Sequence, residues 1–350
     1  MRSFVATIIV TLLPFSASAE IARTLDGKPD LSGVYDTGTL TPLNRPKEFA
    51  DKQFMSAQQA EQILAMIKKR YEVLTQRESA PDRGAPKKGG DGNNSFGAGG
   101  VGGYNGFWID PGSHVSEVNG QYRTSIIYDP PNGQQPQRSR ESMIKMAALY
   151  KSFAHNNDGT ASWLANQGPG PFDGPESLAP SERCLISFGA TVPTIPSLYN
   201  NYKRILVTDT HVMILQEMVH DARIIRLNSE HTHTGNRKWM GDSIGHWEGD
   251  TLIVHSRHFN KVSGLGGADE NLQVTERFNL ADNGDVIYNF TVTDPTAWTA
   301  PWSGEYTWSR SSDKVYEYAC HEGNYAMGNV LRGARLLESE WIGETAGGEE

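Results

Sequence analysis

The sequence predicts a mainly β fold, an antiparallel β-barrel or meander with two or three peripheral helices. Short segments rich in β-branched and aromatic residues follow one another at close intervals in the second half of the chain. The chain contains 36 Gly and 18 Pro, which supply many turns. No alternation of strands with helices is visible, so a parallel sheet is disfavoured.

The first twenty residues are typical of an export signal rather than of a folded domain. Arg2 precedes an apolar run over residues 4–13, and small residues at 17–19 (ASA) predict cleavage after Ala19. The run is shorter than the roughly 20 residues that span a bilayer, so no transmembrane segment is expected. The sequence therefore predicts a signal peptide over residues 1–19 and a periplasmic or secreted protein.

Two domain divisions fit the remaining chain. Residues 20–160 form an N-terminal region with helices and a glycine-rich loop, and residues 161–350 form the β-meander or barrel. The alternative is one continuous domain over residues 20–350. The formal net charge of −9 argues against a nucleic-acid partner, because such partners require a basic face.

The N-terminal region carries two helix patterns. Ser56 and Gln59 predict a capping box before an amphipathic helix over residues 57–74. A second helix is expected over residues 141–153. The loop at 84–106, interpreted as a pocket cover or a plain loop, contains a GxGxxG match without a preceding strand. No nucleotide site and no cofactor are therefore expected.

Strands are expected in both halves of the chain, separated by polar turns such as Asp282-Asn283-Gly284-Asp285. The spacing favours an antiparallel barrel or sandwich, and a lipocalin-like or calycin-like barrel is the predicted type. The expected strands are residues 107–109, 121–128, 204–208, 211–218, 222–227, 245–247, 251–256, 271–280, 286–293, 303–310 and 314–320.

The only two cysteines, Cys184 and Cys320, are expected to form one disulfide. An exported chain meets an oxidising compartment, where paired cysteines are oxidised. Two free thiols, or a nucleophilic cysteine, are the alternatives.

Several motifs carry a resemblance. The chain contains DGKPDLSGVY, EMVHDARI, WMGDSIGHWEGDTL and YEYACHEGN, spread over most of its length. In these motifs it resembles a large, mostly uncharacterised family of exported bacterial proteins. The resemblance implies a shared fold and carries no activity. Positions that match the pattern are His220, Arg223, His231, Asp242, Trp247, Glu248, Glu276, Cys320, His321 and Glu322, whereas His246, His255 and His258 depart from it.

Histidines are concentrated in residues 199–260, which hold seven of the ten. The pairs His231/His233 and His255/His258 have the spacing of metal ligands. A metal-dependent hydrolase using His231 and His233 is therefore one hypothesis. The other interpretation places these histidines in turns and at the surface, with no metal bound.

Strand phase predicts ionisable side chains inside the barrel. Glu276 shares the phase of Val274 and Phe278, so its carboxyl should lie among apolar groups. The expected catalytic set is His220, Arg223, Glu276, Glu317 and His321. Glutamate and histidine would transfer protons, and arginine would stabilise an anion. The alternative is a buried salt bridge in which Arg223 or Arg277 neutralises Glu276.

The chain has eight tryptophans, whose rings could stack on a sugar or another planar ligand. The expected substrate-binding residues are Trp247, Tyr318, Trp302 and His231. The leading hypothesis is an exported enzyme that applies metal-free acid–base chemistry to a small organic or saccharide substrate. A lyase or hydrolase is favoured, and an isomerase stays open. A non-catalytic ligand-binding or carrier protein of the cell envelope, or a purely structural envelope protein, are the alternatives.

Overall fold

The protein is a closed β-barrel with helices around it. The computed structural model describes residues 21–75, 110, 112–149, 151, 158–187, 191–233, 235–262, 265–321 and 324–347. Within these ranges nine strands close the barrel, as the strand pattern predicts. The expected signal peptide, the glycine-rich loop and the strand expected at 107–109 lie outside the described residues.

Thirteen strands are present in the described part of the chain. Strands β2 to β4 form a small separate sheet, and β5 extends the barrel sheet beside β13. β1 pairs with both β6 and β13, and this double pairing closes the barrel. The strands are β1 Gly33–Asp36, β2 Phe54–Met55, β3 Glu117–Val118, β4 Gln121–Arg123, β5 Ile127–Asp129, β6 Tyr202–Val207, β7 His211–Gln216, β8 Ala222–Leu227, β9 Asp242–Glu248, β10 Thr251–Arg257, β11 Gln273–Leu280, β12 Val286–Thr293 and β13 Trp302–Ser311.

Alternate residues of each strand fill the barrel with large side chains, because neighbouring residues of a strand point to opposite faces. The fully buried aromatic residues pack ring against ring, with the Tyr288 and Trp308 centroids 4.6 Å apart. The interior is thus a packed core rather than an open channel. Its aromatic members include Tyr35, Phe278, Tyr288, Phe290, Trp302, Tyr306 and Trp308.

One pair of neighbouring strands departs from the antiparallel order. β8 and β9 are parallel, with Ile225 opposite Ser243 and Leu227 opposite Gly245. Residues 228–241 must therefore return along the outside of the barrel before β9 begins. The predicted antiparallel barrel thus contains one parallel pair, which the sequence did not indicate because a turn-rich stretch of this length gives no sign of direction.

The N-terminal elements largely follow the sequence pattern. Helix α1 spans Ala57–Thr75, and the Ser56 Oγ accepts a hydrogen bond from the Gln59 N–H in the expected capping box. Helix α2 spans Arg140–Leu149. The strand expected over 121–128 is split into β4 and β5, and these join different sheets.

The C-terminal region contradicts one expectation. Residues 314–320 form no strand, and the chain continues into a long helix, α3, over Tyr325–Gly347, which the sequence pattern did not indicate. The expected disulfide between Cys184 and Cys320 is confirmed, and it ties this segment to the loop region before β6. None of the described helices combines the length and the apolar character needed to cross a membrane.

Candidate functional site

The barrel interior holds a buried ion pair between β8 and β11. Nη1 of Arg223 donates to Oε1 of Glu276 over 2.9 Å, and Nη2 donates to Oε2. The Tyr288 hydroxyl adds a 2.7 Å hydrogen bond to the same Oε1. Arg223 also donates to the hydroxyls of Ser243 and Ser256, so both charged groups are surrounded by partners.

This arrangement favours the salt-bridge interpretation of Glu276. Both carboxylate oxygens already accept hydrogen bonds, and the side chain is fully buried. Arg277 is exposed on the opposite face of β11, as its phase predicts. Burial, with the neighbouring Glu276 next, raises the pKa of Tyr288 far above 10, so the phenol stays a neutral donor. The group is closed and offers no free position for a reacting atom.

The other expected catalytic residues do not join this pair. His220 ends a short 3-10 turn, Met218–His220, between β7 and β8, and its side chain lies outside the described part. Glu317 and His321 are exposed, because the strand that would have turned Glu317 inward does not form. The expectation that five ionisable groups share the interior is therefore wrong for Glu317 and His321.

A second interior feature was not predicted from the sequence. Lys203 on β6 faces inward directly opposite Gln216 on β7, and burial lowers the pKa of this lysine to about 8. Gln216 is fully buried, and neither of its amide atoms has a hydrogen-bond partner. Together with Arg223, Ser243 and Ser256, these residues make one end of the barrel interior polar. The opposite end is apolar.

Asp242, at the start of β9 on the outer face, is a buried carboxylate with several hydrogen-bond partners. It accepts two hydrogen bonds from Arg226, over 2.8 and 3.0 Å. Its Oδ2 also accepts the Thr232 backbone N–H at 3.0 Å and lies 3.1 Å from Nδ1 of His231. These bonds fasten the return segment 228–241 to the barrel wall. Burial alone would raise the pKa of Asp242, but Arg226 and the other donors hold it well below the usual range.

Replacing Asp242 by Asn should destabilise the fold in a pH-dependent way. We expect a loss of roughly 1.5–3 kcal/mol at neutral pH, the usual scale for hydrogen bonds to a charged group. Because the folded pKa lies below the unfolded one, this stabilisation is complete above the unfolded value, about 3.9, and is lost as pH falls through the folded value. Urea unfolding at pH 7 and at pH 3 measures the difference in unfolding free energy between the unmodified protein and Asp242→Asn, and this difference should be smaller at pH 3. An equal difference at both pH values would show that it does not come from the charge of Asp242.

The histidine pairs that suggested a metal are separated. His231 bonds Asp242, whereas His233 is exposed two residues later. His255 stacks on His246 on the outside of β9 and β10, with centroids 5.8 Å apart, whereas His258 lies beside His231, with centroids 5.7 Å apart. Across the described ranges, no group of three or more His, Cys, Asp or Glu side chains is placed to hold a metal ion.

A cleft of about 440 Å³ opens at the apolar end of the barrel, and we call it the mouth cleft. It is lined by residues of the entry segment 24–32 and by the ends of β6, β8 and β9. Its apolar part comprises Val207, Leu227 and Trp247, and the Trp247 ring also packs against the barrel core. Mouths of β-barrels are recurrent ligand sites.

The charged part of the mouth cleft is strongly acidic. Asp26, Asp30 and Asp209 line it together with a single lysine, Lys28. No sequence pattern predicted a role for these three aspartates. Each lies in an ordinary turn motif, and only the closure of the barrel brings the segments together.

The wall of the mouth cleft is fixed by contacts with the β9–β10 hairpin. Arg23 forms a bidentate ion pair with Asp250, over 2.8 and 3.0 Å, and Lys28 donates to the Gly249 carbonyl oxygen at 3.3 Å. The Val207 backbone N–H donates to the Ser32 hydroxyl, which joins the entry segment to β6. These contacts between described residues therefore hold the mouth cleft in shape.

The expected substrate-binding residues divide between sites. Trp247 lines the mouth cleft, so its ring is placed to contact a ligand there. Trp302 is fully buried against Phe290 and Trp298, so it cannot contact a ligand at the surface, and its selection is corrected. Tyr318 is half-buried in the segment after β13, and His231 belongs to the Asp242 cluster. A comparison with protein-family models and with curated proteins finds no match for this chain.

Proposed function

We propose that the protein binds a small, polar organic ligand of the saccharide type in the mouth cleft. The observation that carries this proposal is the cleft itself, in which one tryptophan faces polar and acidic side chains. An aromatic ring beside hydrogen-bonding groups suits a ligand with an apolar face and hydroxyl edges. The packed barrel interior leaves the mouth as the better supported position for a ligand.

The charge of the mouth cleft refines the ligand class. Three carboxylates face one ammonium group, so an amino sugar should bind more tightly than a neutral sugar, and a sugar acid least tightly. Glucosamine, glucose and glucuronate provide these three charges on one pyranose ring. We expect affinities in that order in calorimetric titrations at pH 7 and low salt.

Replacing Trp247 by Ala should weaken glucosamine binding about tenfold, because the ring contact contributes roughly 1.4 kcal/mol. Asp209→Asn should lower the preference for glucosamine over glucose. Asp282→Asn is the matched control, since Asp282 is exposed in the β11–β12 turn and does not line the cleft. Unchanged affinity in Trp247→Ala, with normal folding, would rule out the mouth cleft as the site.

A second candidate is turnover of the bound ligand by acid–base chemistry. The observation that favours it is the presence of Asp26, Asp30 and Asp209 in one cleft, because paired carboxyl groups are the usual acid and base of sugar chemistry. Mass spectrometry of β-linked glucosamine disaccharides incubated with the protein separates the two functions. Recovery of unaltered disaccharide after prolonged incubation supports binding alone.

The site is proposed to act outside the cytoplasm. Support comes from the export pattern of residues 1–19 and from the disulfide, which needs an oxidising compartment to persist. Intact mass of the protein from a periplasmic extract of the expressing cells should correspond to a chain beginning at Glu20. A chain beginning at Met1 would contradict export by cleavage.

A further inference from the structure

The cluster around Asp242 contains polar atoms that its structural role leaves unsatisfied. Two buried side-chain atoms there have no hydrogen-bond partner, the Thr232 hydroxyl and Nδ1 of His258. The His258 residue is 8% exposed, and its ring centroid lies 5.7 Å from that of His231. Buried polar atoms without partners are uncommon, and each requires an explanation such as strain, a bound water or a bound ion.

His231 presents a third unused atom in the same cluster. Its Nδ1 faces the Asp242 carboxylate, which can only accept, so Nδ1 carries the proton of the neutral ring. Nε2 is then an acceptor with a lone pair, oriented by the carboxylate behind the ring. The cluster therefore offers the Thr232 hydroxyl as a donor and Nε2 of His231 as an acceptor. Nδ1 of His258 is a second donor in the tautomer that carries the proton on this nitrogen.

The surroundings of the two histidines carry a positive surplus, although the chain as a whole is acidic. Arg226 and Lys238 contact Asp242, and Arg237 contacts Glu270 through a 3.3 Å ion pair. Arg257, opposite Asp242 on β10, is a further exposed cation. Four basic side chains thus stand against three carboxylates, those of Asp242, Glu270 and the exposed Glu230, and the surplus of one positive charge favours an anion.

Fastening the return segment does not explain these atoms. That fastening uses the Asp242 carboxylate with Arg226, the Thr232 backbone N–H and Nδ1 of His231, and it leaves the Thr232 hydroxyl, Nδ1 of His258 and Nε2 of His231 without a role. His258 also has a positive φ of 60°, an uncommon conformation for a residue with a side chain. Strained residues of this kind are enriched at ligand sites.

We propose that Thr232, His231 and His258 form a second binding site, for an oxyanion that carries a hydroxyl proton, of the hydrogen phosphate class. The Thr232 hydroxyl and Nδ1–H of His258 donate to phosphate oxygens, and the P–OH group donates to Nε2 of His231. Arg257 and Lys238 neutralise the remaining charge. None of these residues lines the mouth cleft, so this site is independent of the proposed saccharide site.

Calorimetric titration of the full chain with inorganic phosphate at pH 7 tests this site. We expect saturable binding, and sulfate, which has no proton at this pH, should bind at least about tenfold more weakly because it cannot donate to His231. Thr232→Val removes only the hydroxyl and should weaken phosphate binding about tenfold. His258→Gly removes the ring at a position whose positive φ glycine tolerates, and should have a similar effect.

His233→Gly is the matched control, because His233 is exposed and lies one residue beyond Thr232. Its phosphate affinity should equal that of the unmodified protein. The proposal is overturned if the unmodified protein shows no saturable phosphate binding, if sulfate binds equally well, or if Thr232→Val binds phosphate unchanged. Thr232→Val keeps the shape of the side chain, so the test holds even if His258→Gly folds poorly.

Discussion

Glu276→Gln should lower the free energy of unfolding by about 3–5 kcal/mol, the cost of breaking a buried ion pair by removing one partner. The substitution keeps the size of the side chain but leaves the Arg223 guanidinium buried without a counter-charge. Both groups are almost fully excluded from solvent, so water cannot compensate. Urea unfolding at pH 7, followed by circular dichroism, measures the effect.

Two further variants separate the charge effect from general damage to β11. Arg277→Gln alters the adjacent exposed position and should change stability by less than about 0.5 kcal/mol. The double replacement Arg223→Met with Glu276→Leu should recover most of the loss, since apolar substitutes for a buried pair are often nearly neutral. If the Glu276→Gln protein is as stable as the unmodified one, Arg223 and Glu276 do not form a stabilising buried ion pair.

Loss of the disulfide should have an effect of similar size. Cys184→Ser with Cys320→Ser removes a cross-link between residues 136 apart in sequence, worth about 5 kcal/mol in the chain-entropy account. The segment around Cys320 forms no strand, so few other bonds hold it. We expect a large shift of the urea midpoint, together with faster proteolysis between β13 and α3.

The redox control for this prediction uses the same two proteins. A reductant should lower the stability of the unmodified protein towards that of the double serine variant. The variant itself should be insensitive to the reductant. If the unmodified protein keeps its midpoint after complete reduction, with two titrated thiols, the bridge does not stabilise the fold.

Local sequence periodicity was sufficient to predict most of the barrel strands, but it was insufficient to predict where the barrel sheet begins and ends. Strands β6, β7, β8, β11 and β12 follow clear alternation, because one face of each is buried and the other is not. The strand expected over 314–320 has the same alternation but finds no partner strand. A segment at the end of the barrel sheet becomes a strand only if it pairs with a distant segment, as β13 does with β1. No local sequence pattern encodes such a pairing.

The candidate sites show the same limit. Strand phase placed Arg223 and Glu276 inside the barrel, yet it could not show that they bind each other across 53 residues. Trp247 was selected for its ring, whereas Asp26, Asp30 and Asp209 come from separated turns that meet only in the folded chain. The histidine-rich segment suggested a metal, because spacing alone cannot show that His231 turns towards Asp242.

The central claim is that a ligand binds at the mouth cleft and not inside the packed barrel. Two-dimensional ¹H–¹⁵N spectra resolve tryptophan indole N–H groups, of which the chain has eight. The Trp247 signal can be assigned with Trp247→Phe. During titration with glucosamine, the Trp247 signal should shift saturably while those of the buried Trp302 and Trp308 stay fixed. A saturable shift of Trp302 or Trp308 with an unmoved Trp247 would contradict the claim.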